Sequence, residues 1–329
     1  MMKGMYFMYK KQISSKIVAV SFVILLLLSG CSADMKGSDQ ADKSSTKSTD
    51  TRLFSTDKGE IEIPVHPQRV ISDFGLLGDV LALGVTPVAI ENYGATDVAY
   101  KELIKDIKVL EKWEPEFLMA ETPDLIVTRN EDNYEQFSKI APTVYVPVYE
   151  LETRERLSFL SDALGLGQEK GREVVDNYET KVKDAKDKLK NTGLYNKTFS
   201  IIRVQGENEI GVRWSNNLGG QILFGALELP QTEAALREVK AGTDWGATLS
   251  FEAVPEYMGD YILVTEYDNY QLIENNPVWK SLPAVQNGNI IVLSEPYMYL
   301  NDIYSWSAQL DLVTAKLLNL AEKNSVPQQ

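Results

Sequence analysis

The stretch QEKGREVVDNYETKVKDAKDKLK, residues 168–190, decides the fold of this chain. Its apolar positions recur at helical spacing and most of its other positions are charged; the apolar set is Val174, Val175, Tyr178, Val182, Ala185 and Leu189. This pattern predicts one long surface helix with a single buried stripe. With a rise of 1.5 Å per residue, such a helix spans roughly 34 Å, which is the width of a small domain.

Short apolar strands alternate with helical segments on both sides of this helix. A segment around GEIEIP, within residues 52–64, predicts a β-hairpin. Further strands are predicted at 69–73, 88–92, 123–129, 143–147, 197–205, 209–214, 260–265 and 289–295. Helices are predicted at 75–83, 97–107, 115–121, 133–140, 153–164, 219–227, 250–258, 276–282 and 302–322. Such alternation indicates parallel βαβ units, so the predicted fold class is α/β.

Two acidic pairs indicate that the halves of the chain resemble each other. Glu116 precedes Asp124 by eight residues, Glu252 precedes Asp260 by the same spacing, and each aspartate opens an apolar strand. We expect both glutamates early in a short helix that leads into that strand. The predicted architecture is two βα lobes bridged by a single long helix. The N-terminal lobe covers 52–152, the bridging helices cover 153–192 and the C-terminal lobe covers 193–329.

The amino-terminal residues predict export. Lysines precede the apolar run 17–28, and Leu28-Ser29-Gly30 presents small residues directly before Cys31. These features indicate a signal peptide at 1–30, with translation starting at Met1 or Met8. The Leu-Ser-Gly-Cys ending resembles the bacterial lipobox, and Cys31 is the only cysteine in the chain, so we expect it to carry the lipid. Residues 31–51 are mostly polar and are expected to form a flexible tether.

Composition excludes several classes of function. The formal net charge is −14, which argues against nucleic acid as a partner, because nucleic acid requires a basic surface. His66 is the only histidine, so a direct metal receptor is not expected, and His66 is interpreted as structural. Nucleophile, zinc-protease and dinucleotide-binding motifs are absent from the sequence, so we predict a protein that is not an enzyme.

Several segments together resemble the substrate-binding lipoproteins of bacterial ABC importers, in particular the ferric siderophore group with its ferric hydroxamate binders. The resemblance extends from about residue 52 to 322, and its carriers are IEIPVHPQRV (61–70), EFLMAETPDLIV (116–127), KIAPTV (139–144), DWGATLSFE (244–252), GDYILV (259–264) and PVWKSLPAVQNGNIIVL (277–293). It implies the helical-backbone type of periplasmic-binding-protein fold. It also implies a ferric siderophore as ligand and an ABC permease of the cytoplasmic membrane as partner.

No cofactor is expected, because a siderophore fills the coordination shell of iron with its own oxygens. A suitable receptor is a cleft with aromatic faces and a few Arg or Lys donors, located at the carboxyl ends of strands. Four residues fit this description: Arg129 ends a predicted strand, Arg203 and Arg213 lie on neighbouring predicted strands, and Trp214 follows Arg213. The resemblance adds further cleft positions: Lys112, Trp113, Trp245, Tyr297 and Tyr299. The competing interpretation for each is a solvated surface arginine or a core tryptophan. Arg203 could also face away from Arg213.

The sequence departs from close hydroxamate binders in one place. Those proteins carry a Trp-Gly-Arg-Gly-Gly opening to the helix near 219, whereas this chain has Asn216-Asn217-Leu218-Gly219-Gly220. The upstream pair Arg213-Trp214 is a candidate substitute. Arginines on several strands suit an anionic citrate-hydroxamate complex at least as well as a neutral trihydroxamate, so both ligand classes stay open.

The resemblance gives Glu116 and Glu252 a second role, because one glutamate at the tip of each lobe meets arginines of the permease in this family. Such charges steer docking and set orientation. The competing interpretation is a helix N-terminal acid favoured by the helix dipole. Alternatives for the whole chain are a haem- or cobalamin-binding lipoprotein on the same scaffold, an extracytoplasmic enzyme, and an adhesive or sensor domain. The predicted protein is a monomer, lipid-anchored on the extracellular face of a Gram-positive type of membrane.

Overall fold

A hairpin opens the folded part of the computed structural model. The structure describes residues 50–96, 99–207, 209–214, 218–243, 245–265, 267–293 and 298–325. The predicted signal peptide, Cys31 and nearly all of the predicted tether therefore lie outside the described residues. Strands β1 (Thr51–Thr56) and β2 (Gly59–Pro64) pair antiparallel, which confirms the hairpin predicted around GEIEIP.

The N-terminal lobe is built on a five-stranded parallel sheet. Its strands are β3 (Val70–Ser72), β4 (Ala89–Glu91), β5 (Lys108–Leu110), β6 (Leu125–Thr128) and β7 (Thr143–Tyr145), in the order β5-β4-β3-β6-β7. Its helices are α1 (Phe74–Ala82), α2 (Lys101–Ile104), α3 (Pro115–Ala120) and α4 (Glu131–Phe137). The strand order reverses between β3 and β6, and in sheets of this kind ligands bind beside the carboxyl ends of such a pair.

Two helices follow the first sheet, α5 (Thr153–Ala163) and α6 (Gln168–Leu189). The long helix predicted from its periodicity is confirmed. Its predicted apolar stripe does pack inward: Val175, Ala185 and Leu189 are buried, and Val174, Tyr178 and Val182 pack against the main core. Gly171 lets α6 approach α5 closely, since a Cβ there would lie 2.2 Å from the carbonyl oxygen of Leu157.

The C-terminal lobe carries a second five-stranded sheet in the order β10-β9-β8-β11-β12. Its strands are β8 (Phe199–Val204), β9 (Glu209–Arg213), β10 (Ala247–Ser250), β11 (Tyr261–Val264) and β12 (Ile290–Val292). Strands β8, β11 and β12 are parallel, whereas β9 runs antiparallel to β8 and β10. The helices are a π-helical segment (Gln221–Ala226), α7 (Glu233–Lys240), α8 (Val254–Tyr257), α9 (Tyr267–Tyr270), α10 (Pro277–Ser281), α11 (Pro283–Gln286) and α12 (Ile303–Ser325).

Two sequence predictions of helix need correction. The helix predicted at 250–258 is a strand ending at Ser250, then a turn, then the short helix α8; Glu252 therefore lies in the turn before a helix. The helix predicted at 97–107 is reduced to α2, and β5 follows it. Strands β5 and β10 are outer strands of their sheets with mostly exposed residues, so they lack the apolar signal of a buried strand.

The two acidic pairs reflect a real similarity between the lobes. Asp124 precedes β6 and accepts hydrogen bonds from the backbone N–H groups of Gln68 (2.7 Å) and Arg69 (2.8 Å), just before β3. Asp260 precedes β11 and accepts one from the backbone of Thr198 (2.9 Å), just before β8. In each lobe the aspartate therefore joins the beginnings of two adjacent parallel strands, which explains the residue type at these positions.

Helix α1 of the first lobe packs directly on α12, the last helix of the chain. The carboxylate of Asp79 accepts hydrogen bonds from Arg156 Nε of α5 (2.8 Å) and from the backbone N–H of Ile303 (2.9 Å), and all of these groups are buried. Gly78 allows this close approach, since a Cβ there would lie 1.8 Å from Asp302 Oδ1. No helix of the described residues is long and apolar enough to cross a membrane.

Candidate functional site

Asp73 occupies the point where the strand order of the first sheet reverses. It follows β3, and its Oδ2 accepts hydrogen bonds from Thr128 Oγ1 (2.9 Å) and from the backbone N–H of Arg129 (2.7 Å), at the end of β6. Its Oδ1 accepts from the backbone N–H of Gly75 (3.0 Å) and caps α1. Burial raises the pKa of this carboxyl, against the effect of its hydrogen bonds. Asp73 thus fixes the backbone from which Arg129 projects.

Arg129 lies along the first turn of α1. Its guanidinium carbon is 4.6 Å from the centre of the Phe74 ring, and Nη1 donates to the hydroxyl of Tyr149 over 3.3 Å. The side chain runs across Gly75, where a Cβ would lie 2.0 Å from Arg129 Nε. Glycine is therefore required for this arrangement, which places Arg129 at the edge of a pocket.

A row of aromatic rings continues from Arg129 toward the last part of the chain. Phe74 contacts Tyr93 with ring centres 4.9 Å apart, and Tyr93 contacts Tyr299 with centres 5.6 Å apart, both edge to face. Tyr299 belongs to the segment between β12 and α12, so the row passes from the first lobe to the end of the second. Tyr93 and Tyr299 are both exposed, which places their faces within reach of a ligand.

A pocket of about 490 Å³ opens beside Arg129. Its wall is formed by Asp73, Phe74, Glu91, Trp113, Arg129, Asn130, Glu131, Asn133 and Tyr149. Trp113 packs edge to face on Phe137, with ring centres 5.7 Å apart, and its buried indole nitrogen has no acceptor within the described residues. The pocket therefore combines an arginine, aromatic faces and an unused donor, which is the composition expected of a binding site.

Arg203 and Arg213 lie on the same face of the second sheet. Arg213 pairs with Ile201 and Gly211 pairs with Arg203, and directly paired residues of antiparallel strands share a face. The Arg213 side chain folds back over Gly211, where a Cβ would lie 3.0 Å from its Nη atoms. The Arg213 guanidinium therefore lies over the residue that pairs with Arg203. The alternative in which Arg203 faces away from Arg213 is wrong.

Trp245 stands beside this arginine pair. It precedes Gly246, which has a φ of +129° and lies against Arg213, with a would-be Cβ 3.1 Å from Arg213 Cδ. The Trp245 side chain is 65% exposed, an unusual state for so large an apolar surface. The second lobe therefore presents two arginines and an exposed indole close together.

Three predicted ligand residues are not placed in these two groups. Trp214 is 1% exposed, packs in the core on the opposite sheet face and donates its indole N–H to the carbonyl of Thr243 (2.7 Å). Its prediction as a ligand residue is therefore wrong, because the side chain after the strand end turned inward. Lys112 is exposed, lies 3.8 Å from Glu114 and does not line the pocket. Tyr297, like Asn216 and Asn217, lies outside the described residues.

Glu116 and Glu252 are exposed near outer strands of their sheets. Glu116 lies in the first turn of α3, shortly after β5, and Glu252 lies in the turn after β10. The Ser250 hydroxyl, with the backbone N–H of Glu252 itself, holds the pKa of Glu252 below its usual range. Both positions therefore present an accessible carboxylate, as a docking role requires.

Several residues of the pocket and of the aromatic row were missed from the sequence, namely Asp73, Phe74, Glu91 and Tyr149 of the pocket and Tyr93 of the row. A signal was available for three of them, because Asp73 and Phe74 directly follow β3 and Glu91 ends β4. In the described part of the chain, no group of three or more His, Cys, Asp or Glu residues could hold a metal ion.

Two α/β lobes joined by a long helix, with arginines and aromatic rings near strand ends, define a bilobal binding protein. The chain belongs to the periplasmic binding protein family, whose sequence profile matches residues 73–297. This assignment confirms the family resemblance and the fold class inferred from the sequence.

Two relatives and one solved structure show which members of the family this chain is similar to. The chain is 30% identical over 317 residues to the iron(3+)-hydroxamate-binding protein YxeB of Bacillus subtilis, covering 94% of this chain and 98% of that protein. It is 27% identical over 319 residues to the iron(3+)-hydroxamate-binding protein FhuD of the same organism, covering 93% and 98%. A solved FhuD-fold structure, a component of a ferrichrome ABC transporter from Bacillus subtilis, superposes with a TM-score of 0.71. It is 28% identical and covers 80% of this chain and 99% of that one.

Proposed function

We propose that this protein is an extracytoplasmic receptor that binds a ferric siderophore and delivers it to an ABC permease for iron uptake. The proposal is supported by two groups of residues: Arg129 with its aromatic row in one lobe, and Arg203, Arg213 and Trp245 in the other. A siderophore complex offers carbonyl and hydroxamate oxygens and flat carbon surfaces, which arginine forks and aromatic faces bind well. The protein needs no cofactor and performs no catalysis in this role.

The arginines can be tested by substitution. Replacing Arg203 or Arg213 with Ala should weaken binding of a ferric hydroxamate by about tenfold or more, because each loses a charge-assisted hydrogen bond. Arg237 is a matched control, since it is exposed and pairs with Glu256 at 2.6 Å. Arg237→Ala should bind normally. Equal affinity in all three variants, measured by calorimetric titration, would show that Arg203 and Arg213 do not contact the ligand.

Docking to the permease is the second part of the proposal. Glu116 and Glu252 are proposed to meet cationic residues of the permease, one from each lobe. The double charge reversal Glu116→Lys and Glu252→Lys should abolish siderophore-dependent uptake of radioactive iron while leaving ligand affinity unchanged. Glu169→Lys with Glu173→Lys on the exposed side of α6 makes the same change in charge as a control. Normal uptake by the first pair would contradict the docking role.

Anchoring at Cys31 is proposed from the amino-terminal sequence alone. The acylated chain is expected on the outer face of the cytoplasmic membrane, as a monomer. Labelling cells with a palmitate analogue should mark the wild-type chain and not the Cys31→Ser variant. The variant should also be released into the medium, and equal labelling of both chains would refute the anchor.

A further inference from the structure

Glu91 is an acidic residue of the N-terminal pocket that an anionic ligand would not need. It ends β4, is partly buried and lines the pocket with Phe74, Trp113 and Tyr149. Its Oε2 accepts a long hydrogen bond of 3.4 Å from the backbone N–H of Phe74. Within the described ranges, no Lys or Arg side chain forms an ion pair with it. A carboxylate partly removed from water in this way is stabilised by a partner of opposite charge.

Arg129 does not supply that partner. Its guanidinium lies on the Phe74 ring and donates to Tyr149, so its directional contacts point elsewhere. Burial raises the pKa of Glu91, the charge of Asp73 adds to this, and the charge of Arg129 offsets only part of it. Glu91 therefore lies in the pocket as a carboxylate that lacks a close cation.

The surroundings of Glu91 suit a small organic cation. The aromatic rings of Phe74, Trp113 and Tyr149 also line the pocket, and aromatic faces attract ammonium groups. Tyr149 is 86% exposed, so its ring face is open to a ligand. A carboxylate with aromatic walls is a common design for ammonium recognition.

We infer that Glu91 is the counter-ion for a cationic group on the ligand. The receptor should then favour a ferric hydroxamate that carries a protonated amine over an anionic carboxylate-bearing complex. This inference rests on the proposed function and narrows its ligand class. In this arrangement the arginines of the second lobe contact the hydroxamate oxygens, while Glu91 pairs with the pendant ammonium group of the ligand.

The test compares two complexes that differ by one charge. Ferrioxamine B has a pendant primary ammonium, and its N-acetyl derivative has the same iron coordination without that charge. The wild-type chain, purified in detergent, should bind the ammonium form about tenfold more tightly, as expected for a charge-assisted contact. Glu91→Gln should reduce this ratio to near one and leave affinity for the acetyl form within about twofold.

Glu102→Gln is the matched control, because Glu102 lies outside the pocket, is exposed and already pairs with Lys105 at 3.3 Å. This variant should keep the wild-type ratio. Equal binding of the two complexes by the wild type would overturn the inference, and this comparison needs no variant. The inference also fails if Glu91→Gln keeps the preference, or if Glu102→Gln abolishes it as well.

The two levels of the proposal fail in different ways. Binding of both complexes with equal affinity would leave the siderophore function standing and refute the role of Glu91. If the chain bound an anionic ferric citrate-hydroxamate but neither form of ferrioxamine B, the siderophore function would also stand and the role of Glu91 would be refuted. Binding of haem alone, with no ferric siderophore bound, would overturn the proposed function and the role of Glu91 together.

Discussion

Arg129 and Arg213 each lie across a glycine, Gly75 in α1 and Gly211 in β9. In both cases the absent side chain leaves room for the arginine to run toward the proposed site. Such a path limits the directions that a long flexible side chain can take. A glycine beneath the arginine in both lobes indicates that the shape of the backbone helps to set the direction of these two side chains.

Replacing Gly75 with Ala should lower ligand affinity without lowering the free energy of unfolding. The added Cβ would overlap Arg129, and so should displace its guanidinium from Phe74. We expect ligand affinity to fall by about tenfold, while the free energy of unfolding does not fall, because Ala favours the helix more than Gly does. Gly206→Ala is the control, since a Cβ there meets open space. Calorimetry and urea unfolding give both quantities, and unchanged affinity in Gly75→Ala would contradict this account of Arg129.

The raised pKa of Glu91 predicts a dependence of stability on pH. Above its ordinary pKa of 4.5, the folded chain still holds a proton that the unfolded chain has released. The contribution of Glu91 to stability is therefore lost progressively as the pH rises from 4.5 through the raised pKa. Glu91→Gln removes this loss, so the variant should gain stability relative to the wild type between pH 4.5 and 7. Urea unfolding at several pH values measures the difference, and a constant difference would refute the shift.

Strand positions in the sequence locate some candidate site residues but not others. Arg129 follows β6, so its place at the edge of the first sheet could be predicted from the strand alone. Which way a side chain turns after the last strand residue depends on packing, and Trp214 turned into the core for that reason. Tyr149 lines the pocket from a segment between β7 and α5 that carries no periodic signal.

At the scale of elements, three helices meet around one buried ion pair. Asp79 of α1, Arg156 of α5 and the first turn of α12 share hydrogen bonds, and Arg156 also lies 5.6 Å from the ring centre of Trp306. These helices belong to the first lobe, the bridge and the last segment of the chain. This network therefore links the lobes at a second place, in addition to the long helix α6.

Arg156→Ala should cost about 3–5 kcal/mol of unfolding free energy, because it leaves the Asp79 carboxylate buried without its cation. Arg154 lies two residues away on α5 and pairs with Asp176 (2.6 Å) and Glu179 (2.8 Å) at the surface. Arg154→Ala should change stability by little more than the error of the measurement. Urea denaturation of both variants tests the contrast, and similar losses would show that the buried pair is not special.

The elements that the sequence predicted best are those with a strong periodic signal. Helix α6 and the buried strands β6, β8 and β11 were predicted within a few residues because their apolar patterns are unbroken. Strands β5 and β10 were missed because they are short and largely exposed, and pairing with a neighbouring strand rather than burial defines them. Helix α7 was also missed, although Thr232 caps it.

At the scale of the whole molecule, the bridge predicts little closure on binding. Helix α6 has no break along its length, α1 packs on α12, and the described residues between β7 and β8 form helices rather than crossing strands of the kind that serve as a hinge elsewhere. The radius of gyration from small-angle scattering should be unchanged within error when ligand is added. A clear decrease would show that the lobes move as rigid bodies and would contradict this account.

The central claim is that the chain binds a ferric siderophore between its arginines and aromatic rings. Its most direct test is a titration of tryptophan fluorescence in the soluble chain that begins after Cys31, since Trp113 and Trp245 both lie at the proposed site. The panel holds a trihydroxamate, a citrate-hydroxamate, a catecholate and haem. We expect saturable quenching by a ferric hydroxamate, and weaker quenching in Trp245→Phe. Quenching by haem alone, with none of the ferric siderophores bound, would contradict the claim and leave only the fold assignment in place.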